Sequence, residues 1–247
     1  MLVLLPPSES KWAGPARGAP VRLASLSHPE LTGARERVLD ALVALSARED
    51  APALLGAGAG LAAVVRANTT LRTRPAAPAS RVYTGVLFDA LDLPSVPAAA
   101  ARRVLVVSAL WGVLRPGDRV PGYRLSMGTD LPGTGPLAAF WRPHLGAALA
   151  PSGVVVDCRS AAYAAAWAPD AATAARTVRV RVLRAGRVVS HAAKHTRGLL
   201  ARHLLTRAGR APRTPAELLD ATAGAFGAQL LEPERAGTPW TLEVEAA

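Results

Sequence analysis

The sequence predicts a mixed α/β protein that folds as a single domain over residues 1–247, with a central mixed sheet and flanking helices. Three observations support this fold class. Short, predominantly apolar runs occur at 2–5, 103–108 and 153–158, and runs of this length are typical of buried strands. Between them lie segments whose apolar residues recur at helical spacing. The length and the 50% content of hydrophobic residues suit one large domain with a substantial core.

The N-terminal part of the sequence is predicted as one strand followed by helices. The strand at 2–5 ends at two prolines, so the polar residues that follow it lie at the carboxyl end of a strand. Residues 34–47 follow helical spacing. Ser46 and Glu49 have the spacing of a capping box, which predicts a second, short helix.

Three glycines within residues 55–61 predict a tight turn between two helices. Gly56, Gly58 and Gly60 permit positive φ and let backbone N–H groups approach a ligand. The dipole of the helix that follows favours an anion at this turn. Helix-hairpin-helix elements hold DNA phosphates in this way, through backbone amides. We therefore predict such an element at 34–71, with an ordinary glycine-rich connection as the alternative.

The second half of the chain is predicted to alternate strands and helices. The segment 177–183 alternates valine or leucine with arginine, which is typical of a strand with one exposed face. The other predicted elements are a hairpin at 187–192, a basic helix at 193–207, a helix capped by Thr214 and Glu217, and a late strand at 240–244.

The composition is strongly basic. Twenty-nine lysine and arginine residues outnumber 18 acidic residues, which gives a net charge of +11 and a pI near 11.3. A pI above about 9 is typical of proteins that bind nucleic acid, so we expect a polyanionic partner. Only Lys11 and Lys194 are lysines, so codon bias toward arginine explains part of the composition, and a solvated basic face is the alternative. In a chain that otherwise uses arginine, the two lysines indicate positions where a compact, flexible ammonium group is needed, with survival by chance as the alternative.

The sequence favours the cytoplasm. Its apolar runs fall well short of the roughly 20 residues that a membrane-spanning helix needs, and the N-terminus lacks the features of a signal peptide. Cys158 is the single cysteine, so an intrachain disulfide is excluded. We expect no membrane association and no obligate protein partner.

Polar side chains collect where the predicted strands end. The four polar segments are 8–11, 115–124, 157–160 and 190–198. Ligands of open α/β sheets bind at the carboxyl ends of strands, so we expect these segments to converge on one cleft. The cations of that cleft would be Lys11, Arg115, Arg124, Lys194 and Arg197. Arginine forks and lysine point charges suit phosphate, and double-stranded or structured DNA is the leading partner.

The same segments also contain groups that catalysis uses. The candidate catalytic residues are Ser8, Glu9, Lys11, Asp157, Ser160 and Lys194. A carboxylate in a cationic pocket can act as a general base, and a serine beside a lysine can form a nucleophile–base pair. The alternative function is therefore an enzyme that acts on a nucleotide, a nucleobase or another small anionic ligand in the same cleft.

Three further patterns have an ordinary structural interpretation. His191 and His195 have a spacing compatible with zinc, but further ligands are missing, so we predict neither a metal site nor a cofactor. Cys158 is either a small buried residue or a thiol whose pKa an adjacent arginine lowers. The aromatic residues that suit the core better than stacking on bases are Trp111, Tyr123 and Trp141.

One part of the chain has a specific motif. It reads S-A-L-W-G-V-L-R-P over 108–116 and Y-R-L-S-M-G over 123–128. This pattern closely resembles the S-G-L-Y-G-V-L-R-P … Y-R-L-E-M-G hallmark of the YaaA family, the peroxide-stress resistance proteins. Further matches, in the same order, are Pro7-Ser8, Tyr83-Thr84-Gly85-Val86, Phe140-Trp141, Ser160 with Tyr163, and Lys194-x-x-Arg197-Gly198 with Arg202. The resemblance covers nearly the whole chain.

The resemblance implies a single mixed α/β domain with a helix-hairpin-helix-like element and a positively charged cleft. It also implies DNA binding and a role in limiting oxidative damage when iron and peroxide are high. Carried over by position, the residues that would line or support the cleft are Arg115, Tyr123, Arg124, Lys194, Arg197 and Arg202. Glu9 stands where the family often has a lysine, and Lys11 follows two positions later, so the chain resembles a divergent branch of the family.

Overall fold

A computed structural model describes residues 1–188 and 191–246, apart from the side chains of Ala59, Val188 and His191. Its strands are β1 (Leu2–Leu5), β2 (Ala77–Pro78), β3 (Val104–Ser108), β4 (Gly112–Leu114), β5 (Arg119–Val120), β6 (Asp130–Leu131), β7 (Gly135–Pro136), β8 (Val155–Asp157), β9 (Thr177–Arg184), β10 (Arg187–Val188), β11 (Gln229–Leu231) and β12 (Trp240–Glu245). Its α-helices are α1 (Thr32–Ser46), α2 (Ala51–Leu54), α3 (Ala62–Arg66), α4 (Ala79–Val82), α5 (Val86–Leu91), α6 (Ala98–Ala101), α7 (Leu137–Ala148), α8 (Ala161–Ala164), α9 (Ala171–Ala174), α10 (His191–Thr206) and α11 (Pro215–Phe226).

The main sheet is mixed, as predicted. Its strands lie in the order β11-β12-β9-β8-β1-β3-β4, and β10 pairs with the end of β9. The five neighbouring strands from β12 to β3 are parallel, whereas β4 and β11 run antiparallel at the two edges. The first strand of the chain, β1, therefore lies between β8 and β3. The carboxyl ends of these three parallel strands meet at the same edge of the sheet.

Strand burial follows the sequence pattern. β3 and β8 are wholly buried and β1 nearly so, because parallel strands are covered on both faces. In β9 the valines are buried and the helix α10 contacts the strand, while Arg179 is exposed and Arg181 is half-buried. The predicted strand with one exposed face is thus confirmed. The hairpin predicted at 187–192 is observed as far as β10, and its next two residues, Val189 and Ser190, lie outside the described residues.

One predicted helix cap is confirmed and one is wrong. The Thr214 hydroxyl accepts a hydrogen bond from the Glu217 amide at 3.1 Å at the start of α11. Ser46 instead belongs to the last turn of α1, where it is buried and its Oγ accepts a hydrogen bond from Asn68 at 3.1 Å. The hydroxyl is therefore committed to the packing between α1 and the segment that follows α3. The short helix α2 begins without a side-chain cap.

The helices α5 and α10 pack against each other very closely. A Cβ atom placed on Gly198 of α10 would lie 2.3 Å from the carbonyl oxygen of Leu87 in α5. The glycine thus brings the two backbones together, and both helices contribute to the site described next. None of the described helices is long and apolar enough to cross a membrane.

Candidate anion-binding site

A cavity of about 360 Å³ opens where β1 and β8 end, and we call it the strand-end cavity. One wall is the loop after β1, another is the start of α5, and the remainder comes from α8 and α10. The polar residues in its lining are Ser8, Glu9, Ser10, Thr84, Ser160, Tyr163, Lys194 and Arg197. The structure thus brings three of the four predicted polar segments together at one edge of the sheet.

The cations of the cavity come from α10. Lys194 and Arg197 are three residues apart and therefore lie on one helical face, from which both reach the lining. Lys194 is exposed, whereas Arg197 is half-buried and its Nη2 donates to the Val180 carbonyl oxygen at 3.1 Å. The rest of the Arg197 guanidinium makes no other hydrogen bond to the described residues, so N–H donors are left for an anion.

The loop after β1 is held in place by its own hydroxyl groups. Ser8 Oγ accepts a hydrogen bond from the Thr84 amide at 3.1 Å and donates to the carbonyl oxygen of Ser10. Lys11 Nζ donates to the Ser8 carbonyl oxygen at 2.7 Å and not to the hydroxyl. The predicted nucleophile–base pair of Ser8 and Lys11 is therefore wrong, because both groups are engaged with the backbone of the loop.

Lys11 lies behind the loop and not in the lining of the cavity. Its Nζ is 4.3 Å from the ring centroid of Tyr123 and 5.8 Å from that of Tyr83, a cation–π arrangement. Burial lowers the pKa of Lys11 to about 7, although the nearby Glu9 carboxylate opposes the shift. The prediction that Lys11 faces the ligand is corrected accordingly, since its ammonium supports the loop from below.

Tyr123 belongs to a buried hydrogen-bond network below the same loop. Its hydroxyl lies 2.7 Å from Ser108 Oγ and 3.2 Å from the Tyr83 hydroxyl, and Ser108 Oγ also accepts from the Trp111 amide at 3.0 Å. Burial raises the pKa of Tyr83 to about 12 and that of Tyr123 well above its usual value. These phenols therefore stay neutral, and Tyr123 supports the cavity without lining it.

Arg124 contacts Glu9, the carboxylate that the described residues contribute to the cavity lining. Its Nη1 is 2.9 Å from Glu9 Oε2, and its backbone exchanges two hydrogen bonds of 2.9 Å with the side chain of Asn68. The guanidinium is thereby fixed in place, and the Glu9 charge is offset. Lys194 and Arg197 consequently dominate the electrostatics of the cavity.

Asp157 has a structural contact that the sequence did not reveal. Its carboxylate accepts hydrogen bonds from Nε and Nη2 of Arg159, both at 2.8 Å, in a fully buried ion pair. The same guanidinium donates to the carbonyl oxygens of Tyr163 and Trp167, at 3.1 Å each, and so holds α8 in place. Asp157 lies outside the cavity lining, whereas its neighbour Ser160 is exposed there.

Arg115 lies at the opposite edge of the sheet, which corrects its predicted place in the cleft. β4 is antiparallel to β3 and returns the chain toward the amino end of β1, so Arg115 lies near Met1 and donates to the Arg102 carbonyl oxygen at 2.8 Å. Arg202 is also outside the lining. Its Nη1 contacts the Leu91 carbonyl oxygen at 3.0 Å and thus ties α10 to the end of α5.

The glycine-rich turn joins two helices, as predicted, but lies outside the lining of the strand-end cavity. The helices are short, with four residues in α2 and five in α3. Gly56 has a φ of 58°, which favours glycine, while Gly58 and Gly60 have open space where a Cβ would lie. A DNA-binding role of this turn stays a prediction.

Other residues singled out by sequence are buried or lie elsewhere. Cys158 is fully buried, and burial raises its pKa to about 12, which contradicts the alternative of a reactive thiol. The side chain of His191 lies outside the described residues, and in the described part of the chain there is no group of three or more potential metal ligands. The aromatic residues Trp111, Tyr123 and Trp141 are in the core, as expected. Trp12, which the sequence patterns did not single out, is 41% exposed.

Comparison with known proteins identifies the family of the chain. Residues 1–228 match the family model described as peroxide stress protein YaaA. The chain is 51% identical over 256 residues to a UPF0246 protein of Streptomyces coelicolor, covering 99% of this chain and 98% of the relative. It is 44% identical over 230 residues to a UPF0246 protein of Corynebacterium efficiens, covering 91% and 93% of the two chains. The chain therefore belongs to the YaaA family of peroxide stress proteins.

Proposed function

We propose that this protein binds DNA by its phosphates in the defence against peroxide, with the strand-end cavity as the anchoring site. Family membership supports the connection with peroxide stress. The net charge of +11 supports a polyanionic partner, because an excess of positive charge attracts DNA at long range.

One observation carries the proposal. Lys194 and Arg197 reach the same cavity from one face of α10, while Arg124 offsets the Glu9 carboxylate in the lining. An ammonium and a guanidinium beside the exposed Ser160 suit a phosphate. Recognition of this kind reads the backbone and not the base sequence. The glycine-rich turn is a proposed second contact, through the exposed backbone at Gly58 and Gly60.

The test is the salt dependence of binding to a labelled random-sequence duplex, followed by fluorescence anisotropy. Log affinity should fall linearly with log salt, and Lys194→Gln should reduce the slope by about 0.9, the value for one phosphate contact on a duplex. Lys194→Arg keeps the charge and should retain the wild-type slope. If the wild-type protein forms no complex with this duplex or with a single strand at low salt, DNA binding is excluded.

A second candidate function is an enzyme that acts on a nucleotide, a nucleobase or another small anionic substrate. The volume of about 360 Å³ favours it, since small-molecule sites measure roughly 300–1,000 Å³. Glu9 and Ser160 would supply the polar groups at the reacting centre. A bound ligand should raise the melting temperature of the protein, and Lys194→Ala should abolish turnover while duplex affinity persists. A panel of nucleotides and nucleobases without any thermal shift would contradict this function.

A further inference from the structure

A second and larger groove lies beside the strand-end cavity. It encloses about 870 Å³ over the exposed face of β9, and we call it the arginine groove. Its arginines come from separate elements: Arg142 of α7, Arg159 after β8, Arg179 and Arg181 of β9, and Arg197 of α10. Nothing in the family motif predicts Arg142, Arg179 or Arg181.

The position of this groove follows from the alternation of β9. Val180 and Val182 are buried, so Arg179 and Arg181 both project from the other face of the strand. Two residues apart on a strand, they lie about 6.6 Å from each other along the sheet. The strand thus presents a row of cations at the floor of an open groove.

The charges in the groove do not cancel. Arg159 is neutralised by Asp157, and Arg181 Nε lies 2.9 Å from Glu243 Oε1. Arg142 Nε and Nη2 both donate to the carbonyl oxygen of Ala165, at 3.2 Å each. No carboxylate among the described residues forms an ion pair with Arg142, so its positive charge is not neutralised. Arg179 likewise has no ion pair with the described residues. Besides Asp157, the groove lining contains one carboxylate, Glu234, in the described part of the chain.

Arg197 connects the two sites. β8 ends at Asp157, opposite Arg179, and Arg197 donates to the carbonyl oxygen of the next β9 residue, Val180. The guanidinium thus lies at the point where the sheet loses one strand, and Arg197 lines both the strand-end cavity and the arginine groove. The cations of α10 and β9 therefore line two spaces that share Arg197.

We infer that a single nucleic-acid strand anchored in the strand-end cavity continues past Arg197 into the arginine groove, where Arg142 and Arg179 hold its next phosphates. The inference rests on the proposed function and specifies the ligand. Both spaces are of small-molecule size, so consecutive nucleotides of one strand fit into them, whereas an intact double helix can reach the exposed Lys194 only at the mouth of the strand-end cavity. The proposed ligand is therefore an unpaired stretch of DNA.

The test compares a labelled dithymidylate, which is short enough to stay at the strand-end cavity, with a labelled oligothymidylate of about 15 nucleotides, near the upper end of the usual range of single-strand sites. The double variant Arg142→Gln/Arg179→Gln should bind the longer strand about tenfold more weakly, since two exposed charge pairs are lost. Its salt slope should fall by about 1.4, the value for two phosphate contacts on a single strand. Affinity for the short strand, which occupies only the cavity, should stay at the wild-type value.

The matched control is Arg102→Gln/Arg213→Gln, which removes the same charge from exposed arginines near the other edge of the sheet. It should bind both strands as the wild-type protein does, and melting temperatures confirm that all variants fold. Equal loss in both double variants, no loss in either, or binding of duplex without binding of single strand would overturn the inference while leaving DNA binding intact. Absence of any wild-type complex would instead remove the proposed function itself.

Discussion

Three charged side chains among the described residues, Asp157, Arg35 and Lys11, are compensated in different ways for their removal from water. Asp157 has a bidentate guanidinium partner. Arg35 is fully buried and donates to the carbonyl oxygens of Ser27, His28, Trp111 and Val113, at 2.7 to 3.1 Å. Lys11 donates to one carbonyl oxygen and lies over the ring of Tyr123, and these two contacts offset only part of the free-energy cost of burying its charge.

The incomplete compensation of Lys11 predicts a pH-dependent stability. Because its folded-state pKa is lowered to about 7, the unfolded chain binds more protons than the folded one between about pH 7 and 10.5, and stability rises with pH over that window. Lys11→Met removes the titration. The variant should be more stable than the wild type at pH 6, by on the order of a few kcal/mol, and this advantage should shrink toward pH 10.

Urea unfolding of both proteins from pH 6 to pH 10 measures this difference. Subtracting one curve from the other removes the contributions of groups that both proteins share, including Cys158 and the buried tyrosines. A difference in the free energy of unfolding that stays constant with pH would show that Lys11 does not titrate in this range.

Arg35 should be essential for stability. Arg35→Met would leave its carbonyl partners buried without donors, and we expect a loss of roughly 3–5 kcal/mol in the free energy of unfolding. Arg66→Met, at an exposed arginine of α3, is the control and should change stability by less than about 0.5 kcal/mol. Similar losses in the two variants in chemical denaturation would contradict this role.

At the scale of elements, the contact of α5 with α10 sets the width of the strand-end cavity. Leu87 and Phe88 of α5 line one side, and Lys194 and Arg197 of α10 line another. Gly198, a residue of the family motif, leaves room for a backbone to approach, and the structure shows that this backbone is that of Leu87. A larger residue at position 198 should therefore disturb both the packing of α5 against α10 and the shape of the strand-end cavity.

Gly198→Ala should lower the free energy of unfolding by about 1–3 kcal/mol, because its methyl group would overlap the Leu87 carbonyl oxygen. Gly224→Ala in α11 is the matched control. There the added Cβ meets open space, and the higher helix propensity of alanine should stabilise the protein by about 0.5–1 kcal/mol. Thermal or urea unfolding of the two variants checks both signs, and equal effects would show that the helix contact tolerates the methyl group.

Some elements were predictable from sequence and others were not, for physical reasons. Apolar runs identified β1, β3 and β8 because burial on both faces leaves no room for polar residues. β4 was missed because the turn before it, Ala109-Leu110-Trp111, is itself fully buried and thus lacks the polar residues that usually mark a reversal. That missed strand is the reason why Arg115 was assigned to the wrong edge of the sheet.

At the scale of the molecule, part of the site followed from topology. The rule that ligands bind at the carboxyl ends of parallel strands correctly brought Ser8, Ser160 and Lys194 together. The arginine groove could not be predicted in this way. It depends on β8 ending opposite Arg179, and this strand register cannot be deduced from the sequence. Lys11 was misplaced for a similar reason, since its neighbours come from distant parts of the chain.

The cations that line the strand-end cavity and the arginine groove predict stabilisation by short inorganic polyanions. Tripolyphosphate at millimolar concentration should raise the melting temperature relative to chloride at equal ionic strength, because a ligand that binds only the folded state stabilises it. The shift should be smaller in a Lys194→Gln variant, which lacks one cavity cation. Identical melting temperatures in the two anions would show that the cavities do not concentrate phosphate.

The central place of β1 has a consequence for synthesis on the ribosome. Its partners, β3 and β8, begin at Val104 and Val155, so the earliest segment to be made has to wait for the translation of distant residues before it can pair. At about 5–20 residues per second the delay is roughly 5–30 s. During that interval an apolar stretch stays unprotected, so nascent chains should depend on chaperones, and newly made protein should aggregate more readily than mature protein when cells are heated.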